Sequence, residues 1–496
     1  MGESSCDVES RVRNASLRSR IMSPQEAAKI VKDGMCVGCS GFTPSGYPKA
    51  VPLAIAERVR KGERLQITLW TGASVGPELD GELTEAGAIR RRFPYQTEER
   101  IRKAINDGRV SFQDLHLSMT AQNMRYGFYG NMDLAIVEAV AITEEGHLIP
   151  STSVGNSPTF VKQAKEVIVE VNLTQPLELE GLHDIYIPDD PPSRKPIPIV
   201  KVSDRVGTPY IECGTDKIAA IVFCDIPDKQ RPLSSIDETS RRMAQNLLDL
   251  LDLEVKAARL PKELLPLQSG VGSVANAVMA GLMEWPTDGL LVYTEVIQDS
   301  VLDLFDAGKL DFASGTSFTP SPQGAQRLYS NLTEYRKKVL LRPQEISNHP
   351  EVIRRLGVIS MNTAIEVDIY GHVNSTMVSG THMMNGIGGS GDFARNAYLS
   401  IFLCPSTAKG GAVSRVVPFC CHVDHTEHDV DVVVTEHGVA DLRGLSPRER
   451  ARQIVEKCAH PDYRPLLEDY MRKAESEGGH EPHLLDECFS KRLRER

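Results

Sequence analysis

Short apolar runs that stop at loops of small residues, each followed by a segment of helical spacing, recur through this chain and leave it few folds to choose from. Met35 to Gly41 is an apolar run that ends in Gly41-Phe-Thr-Pro-Ser-Gly-Tyr-Pro48. The segment from Lys49 to Lys61 then repeats apolar residues at helical spacing (Val51, Leu53, Ile55, Ala56, Val59). Leu65 to Trp70 is a second such run and stops at Thr71-Gly-Ala-Ser-Val-Gly-Pro77. Strands that alternate with helices are joined by crossovers, so the reading is a parallel sheet covered by helices, an α/β fold. Pro24 to Lys32 reads as a helix opened by Ser23, and further strands are expected at Leu115 to Leu117, Leu134 to Ala141, Val167 to Val171 and Ile218 to Phe223.

The polar, Pro-broken stretch Asp225-Ile-Pro-Asp-Lys-Gln-Arg-Pro-Leu-Ser-Ser235 marks a domain boundary, placing one domain over 1–228 and a second over 229–496. The second half starts the pattern again. Ile236 to Leu253 is an amphipathic helix. Leu265-Pro-Leu-Gln-Ser-Gly-Val-Gly-Ser-Val274 then supplies a Gly loop feeding a helix over Ala275 to Leu282, and an apolar strand follows. Ala141-Ile-Thr-Glu-Glu-Gly-His-Leu-Ile-Pro-Ser-Thr152 also resembles Val367-Asp-Ile-Tyr-Gly-His-Val-Asn-Ser-Thr376, so the halves read as two copies of one α/β design. Hairpins rich in turn residues can look alike for steric reasons alone.

A chain of 496 residues with 41% hydrophobic and 25% charged residues can bury two ordinary cores, and it contains no uncharged apolar run long enough to span a membrane. Its net charge of −11 gives no support to nucleic-acid binding. The acidic start of the chain, with Glu3, Asp7 and Glu9, argues against a signal or transit peptide and for a cytoplasmic address; Cys6 breaks the myristoylation pattern that Gly2 begins. The ten cysteines are scattered and read as reduced, mostly buried thiols. Cys36-Val-Gly-Cys39 has redox or zinc spacing but lies inside an apolar run and reads as small strand residues. His422, His425 and His428 drift around a helix or switch faces in a strand, so no metal site is read from them.

The run Gly289-Leu-Leu-Val-Tyr-Thr-Glu-Val-Ile-Gln-Asp299 carries the chemistry. Leu290 to Tyr293 reads as a buried strand, and Glu295 falls where it runs out, at the end of an α/β strand where ligands bind. Glu295 is therefore a candidate nucleophile, or else an acid in the first turn of the next helix. Asn385-Gly-Ile-Gly-Gly-Ser-Gly-Asp-Phe393 contains a literal dinucleotide fingerprint, but no strand leads directly into it and no acid follows at the spacing a ribose needs. Its free backbone N–H groups, and those of Gly270-Val-Gly272, suit an anion or a developing oxyanion instead, before a helical segment over Ala394 to Phe402. Lys409 suits a phosphate or plain solvent. Ser347 or Asn348 would cap a helix with Pro350 in its first turn, or the Asn348 amide would donate to an oxyanion. Glu436 ends an apolar strand as Glu295 does, and the two carboxylates pair or stand apart.

Leu267-Gln-Ser-Gly-Val-Gly-Ser-Val-Ala-Asn276, Tyr293-Thr-Glu-Val-Ile-Gln-Asp299, Ser347-Asn-His-Pro-Glu-Val-Ile-Arg-Arg355, the loop from Asn385 to Asn396, and Val434-Thr-Glu-His-Gly-Val-Ala-Asp-Leu-Arg-Gly444 together resemble the acetyl-CoA hydrolase/transferase family. The likeness runs over nearly the whole chain, including Gly41 to Pro48, Thr71 to Gly81 and Cys458-Ala-His-Pro-Asp-Tyr463. It implies a class I CoA-transferase fold, two similar α/β domains with the active site at their interface, and a homodimer acting on acyl-CoA and short carboxylic acids. No tightly bound cofactor or metal is implied, coenzyme A being a substrate. Carried over by residue, the resemblance makes Glu295 the nucleophile that becomes a glutamyl-CoA thioester. It places the Val271 and Gly389 N–H groups in one oxyanion hole and Asn348 in another. Gly270, Val271, Gly272, Ser273, Val274, Ile365, Asn385, Gly389 and Lys409 match CoA-contacting positions, and Glu436 matches a carboxylate that helps hold the acid substrate. Lys229 stands where the family has an Arg, which puts a bidentate clamp on a carboxylate there in doubt.

Overall fold

The computed structural model describes residues 5–488; Gly2 and Glu3 lie outside them. The chain divides into two compact units that are not consecutive stretches. One comprises Met1–Pro232, Val292–Leu302 and Phe312–Leu356, the other Leu233–Leu291, Asp303–Asp311 and Gly357–Arg496.

In the first unit, β1 (Cys36–Cys39), β2 (Ile67–Trp70), β3 (Ile89–Phe93), β4 (Ser111–Phe112), β5 (Leu134–Ile142), β6 (Leu148–Pro150), β7 (Glu166–Asn172) and β8 (Ile218–Cys224) form one sheet in the order β4-β3-β2-β1-β5-β7-β8. Every neighbouring pair along that order is parallel, and β6 folds back antiparallel on β5. All nine residues of β5 are buried, as its near-continuous apolar run requires of a strand covered on both faces. The strand order reverses between β1 and β5. Ligands of open α/β sheets bind beyond the strand ends at such a reversal, and here the loop Gly41 to Pro48 leaves the end of β1.

The chain continues with β9 (Leu267–Ser269), β10 (Leu290–Tyr293), β11 (Val296–Ile297), β12 (Leu310–Gly315), β13 (Ser317–Phe318), β14 (Val339–Leu341), β15 (Ile359–Thr363), β16 (Leu399–Leu403), β17 (Val432–Thr435) and β18 (Gly438–Asp441). In the first unit β11 pairs in parallel with β13, and β12 with β14. In the second unit β15 pairs in parallel with β9 and with β16, β16 pairs in parallel with β17, and β18 returns antiparallel to β17. The helix Ser273–Gly281 follows β9 and its Gly loop, just as the helix Ala50–Arg60 follows β1 and its own loop.

Three local readings need correction. Leu117 opens the helix Leu117–Arg125 and lies in no strand, because the apolar residues after it face the core at helical spacing. The helix expected over Ala394 to Phe402 is instead a single turn, Ser390–Ala394, followed by β16, whose five residues are all buried. The helix opened by Ser23 starts as expected, with a capping box to Glu26, but spans only Pro24–Ala28. No helix among the described residues is long and apolar enough to cross a membrane.

Candidate active site

Glu295 sits in a bend between β10 and β11, and the following helix, Asp299–Asp306, begins only after β11, so it is not a first-turn acid. Its backbone is held from β13 and the residue before it: the Glu295 carbonyl accepts from Thr316 N at 2.8 Å and from Ser317 N at 3.1 Å. Gly315 permits this approach, since a Cβ there would come within 3.1 Å of the Glu295 oxygen and of Ile297 Cγ1. The Glu295 carboxylate accepts a hydrogen bond at Oε1 from Asn348 Nδ2 at 2.7 Å.

Asn348 is wholly buried at the C-terminal end of the helix Gln344–Ser347, where its backbone N–H donates to Gln344 O at 2.9 Å. Ser347 Oγ donates to Asn348 Oδ1 at 3.0 Å, which turns the amide nitrogen toward Glu295. The Asn348 side chain thus serves the carboxylate, and at the next helix, Pro350–Leu356, His349 Nδ1 accepts from Glu351 N at 3.2 Å. The helix bearing Asn348 is clamped by Arg125, whose guanidinium meets both oxygens of Glu345 at 2.6 and 2.7 Å. An amide donor fixed against one carboxyl oxygen stays in place as that oxygen becomes a carbonyl or a tetrahedral oxyanion, so it needs no reorganisation during reaction.

In the second unit the other candidate residues follow adjacent parallel strands in the chain: Gly270 to Val274 after β9, Ile365 after β15, Lys409 in a hairpin after β16 and Glu436 after β17. Gly270 and Gly272 have nothing within 4 Å of an added Cβ, Gly272 holds φ at +113°, and Val271 between them is 52% exposed. The loop thus presents bare backbone at the start of the helix Ser273–Gly281. Asn385 Oδ1 is buried without a hydrogen-bond partner, and Gly389 is the residue from which the turn Ser390–Ala394 starts. Lys409 is an exposed left-handed residue, φ +50°, in the tight antiparallel hairpin that joins Thr407–Ala408 to Val413–Ser414. Glu436 is nearly buried and accepts from Ser406 N at 2.9 Å and from Ser406 Oγ at 2.5 Å. Partial burial holds the adjacent His437 below the ordinary imidazole range.

The three histidines singled out in the sequence go to separate partners: His422 to Asp424, His425 to Ser390 and His428 to Glu427. Among the described residues, His372, Glu427 and Glu481 bring possible metal-ligand atoms within 4.8 Å of one another. His372 is already spanned by carboxylates, Asp368 at Nδ1 and Glu427 at Nε2.

The N-terminal domain of the acetyl-CoA hydrolase/transferase family matches residues 5–223, and its C-terminal domain matches residues 324–471. A succinyl-CoA:acetate CoA-transferase of Clostridium kluyveri is 55% identical over 97% of this chain and 90% of its own length. The chain belongs to the acetyl-CoA hydrolase/transferase family. It is thus an enzyme of the CoA-transferase class. Other members of the family are an acetyl-CoA hydrolase of Schizosaccharomyces pombe, 48% identical over 98% of this chain and 96% of its own, and a propanoyl-CoA:succinate CoA transferase of Escherichia coli, 48% identical over 94% and 96%. The crystal structure of RipA from Yersinia pestis shares the fold, with a TM-score of 0.72 at 23% identity, covering 92% of this chain and 98% of that one.

This family member also carries buried charged groups that its local sequence pattern does not point to. Lys49, Glu138 of β5 and Glu170 of β7 are buried, and the Glu170 carboxylate accepts from the N–H groups of Lys49, Ala50 and Val51 at the start of the helix Ala50–Arg60. A carboxylate inside an otherwise apolar strand, at Glu138 and again at Glu170, is the one available sign. Asp228 is buried while Lys229 beside it is exposed.

Proposed function

We propose that this enzyme moves CoA from succinyl-CoA to acetate, forming acetyl-CoA and succinate, with Glu295 as its covalent nucleophile. The observation that carries the reading is the Asn348 amide held 2.7 Å from Glu295 Oε1, on a carboxylate at the end of a strand. The identity of 55% to a succinyl-CoA:acetate CoA-transferase supports the choice of acyl groups.

The Glu295 carboxylate adds to the thioester carbonyl of succinyl-CoA, and the tetrahedral oxyanion is met by the N–H groups of Val271 and Gly389. CoA leaves as the thiolate, which yields a succinyl-glutamyl anhydride and conserves the reactivity of the thioester. The thiolate then adds to the glutamyl carbonyl, whose oxyanion is met by Asn348, and succinate leaves to give the glutamyl-CoA thioester. Acetate attacks that thioester and the two steps run in reverse, releasing acetyl-CoA and the Glu295 carboxylate. Each fixed donor at such an oxyanion is worth about 3 kcal/mol. Gly270, Gly272, Ser273, Val274, Ile365, Asn385 and Lys409 hold CoA, a substrate and not a bound cofactor. Glu436 helps hold the acid, and Lys229 offers it a point charge in place of a fork. In this reading the enzyme works in the cytoplasm as a homodimer.

Acetyl-CoA hydrolysis is the competing reading, favoured by the identity of 48% to the Schizosaccharomyces pombe hydrolase. Water admitted to the anhydride or thioester would give it from the same residues. Enzyme with succinyl-CoA, with and without acetate, separates the two. Acetyl-CoA that appears only with acetate supports transfer, and free CoA released at the same rate without acetate contradicts it. Propionate and butyrate in competition with acetate test the acceptor.

A further inference from the structure

One cluster of buried polar groups in the unit that carries Glu295 converges on a short segment, Ser151 to Gly155, which follows β6. Ser151 Oγ donates to Glu138 Oε1 at 2.6 Å, and Thr152 Oγ1 donates to Asp228 Oδ2 at 2.9 Å. These two carboxylates share one ammonium: Lys49 Nζ lies 2.6 Å from Glu138 Oε2 and 2.9 Å from Asp228 Oδ1. Asn172 Nδ2 on Glu138, and Gly46 N–H and Gln175 Nε2 on Asp228, complete the shell. The Lys49 and Glu138 side chains are wholly buried. Removing such charges from water costs several kcal/mol per ion, so the cluster is a poor way merely to fill a core.

The other side of the same segment carries the reacting groups. Phe318 N donates to Thr152 O at 2.8 Å, Val154 N to Thr316 O at 2.9 Å and Gly155 N to Thr316 Oγ1 at 3.0 Å. Thr316 N and Ser317 N in turn hold the Glu295 carbonyl. Gln344 N donates to Gly155 O at 3.0 Å at the start of the helix that ends at Asn348. Both carriers, of the carboxylate and of the amide that faces it, therefore hang from a segment pinned by two carboxylates around one ammonium.

We propose that Lys49, Glu138 and Asp228 are positioning residues for the reaction, fixing Ser151 and Thr152 and through them the placement of Glu295 against Asn348. This inference rests on the reading of Glu295 as nucleophile. An ionised carboxylate only accepts, so it forces both hydroxyls to donate and orients the segment, and charge-assisted bonds of this kind are roughly twice as strong as neutral ones. Burial first, and then Asp228, push the Glu138 carboxyl up to about 7 against the pull of Lys49. Lys49, Asp228, Cys224 and Tyr329 act on it, and Lys49 in turn meets Glu170 through its backbone N–H and the Tyr47 ring through its ammonium. Lys49 is held well above its ordinary range, burial being more than offset by Asp228 and Glu138, and burial pushes Cys224 and Tyr329 up, so these three keep their charge states near neutrality.

Two substitutions test the proposal. Glu138→Gln keeps the volume and removes the charge: its oxygen can accept from Lys49 and Asn172 while its nitrogen donates to Ser151 Oγ. Thr152→Val removes one hydroxyl and leaves the ion cluster intact. In folded protein both lower kcat by about ten-fold, with KM for succinyl-CoA within about two-fold of wild type, because a small misplacement of reacting groups costs rate more than binding. In wild type kcat falls as pH drops through about 7, and Glu138→Gln abolishes that inflection. Thr152→Val decides the matter if Glu138→Gln does not fold. Folded variants with kcat within about two-fold of wild type and an unaltered pH profile would overturn the positioning role. Retained transfer by Glu295→Ala would instead overturn the nucleophile reading and this inference with it.

Discussion

The Tyr293 hydroxyl donates to the carbonyl of Ile346 at 2.6 Å, and both residues are wholly buried. This bond ties the strand that ends at Glu295 to the helix that ends at Asn348. Burial pushes the Tyr293 phenol above its ordinary range, so it remains a donor at any working pH. Tyr293→Phe removes the bond while keeping the ring. The loss in stability is about 1 kcal/mol, because Ile346 O still accepts from His349 N. The larger effect is on kcat, measured beside the melting temperature. A variant that loses stability but keeps kcat would show that the tie does not align the site.

Asn348→Ala lowers kcat by about 10² to 10³, as removal of one fixed oxyanion donor does elsewhere, with little change in KM for acyl-CoA. Asn348→Asp is of equal volume but sets a second carboxylate against Glu295. Like charges disfavour ionisation, so the pH at which activity rises moves upward. Steady-state profiles of the two variants distinguish a lost donor from an added charge.

Arg125 and Glu345 are 1% and 3% exposed and bonded through both carboxyl oxygens. Arg125→Ala leaves the buried Glu345 charge with only Arg194, 3.8 Å away, to match it, and chemical denaturation should show a loss of about 3 kcal/mol. A loss below about 1 kcal/mol, as at an exposed pair, would mean that the pair is solvated in solution.

His372 gives the second unit a dependence on alkaline pH. Burial works against its charge, but Asp368 and then Glu427 more than offset that and raise it to about 9. A histidine raised in the folded state stabilises fully below its unfolded value of about 6.5, and that contribution is lost as pH rises through the folded value. Thermal melts between those limits should show falling stability in the wild type and a flatter profile in His372→Gln.

The sequence discloses most where one residue type has one physical use. The strand expected over Leu134 to Ala141 is found as Leu134–Ile142, buried throughout, and Glu295 at the end of another apolar run is legible from the residues around it. β3 escapes such a reading because it runs Ile-Arg-Arg-Arg-Phe, and nothing local reveals that Arg92 is wholly buried against Asp80 at 2.9 Å. β16 reads as helix because a short apolar run of Leu, Ile and Phe has no decisive period. Asn348 is visible as an amide near a proline. Its role depends on Ser347 turning the amide and on Arg125 and Gly155 placing the helix, contacts spread across the chain. The Lys49 cluster is hidden for the same reason.

If Glu295 is the nucleophile, its side chain becomes a thioester during turnover. That thioester is read from the mass of the peptide containing Glu295 after the enzyme is incubated with succinyl-CoA without acetate and digested under acidic conditions. A CoA adduct is expected on that peptide, absent from Glu295→Ala and discharged as acetyl-CoA when acetate is added before digestion. An unmodified Glu295 peptide from enzyme that is active in the same tube would contradict the nucleophile role.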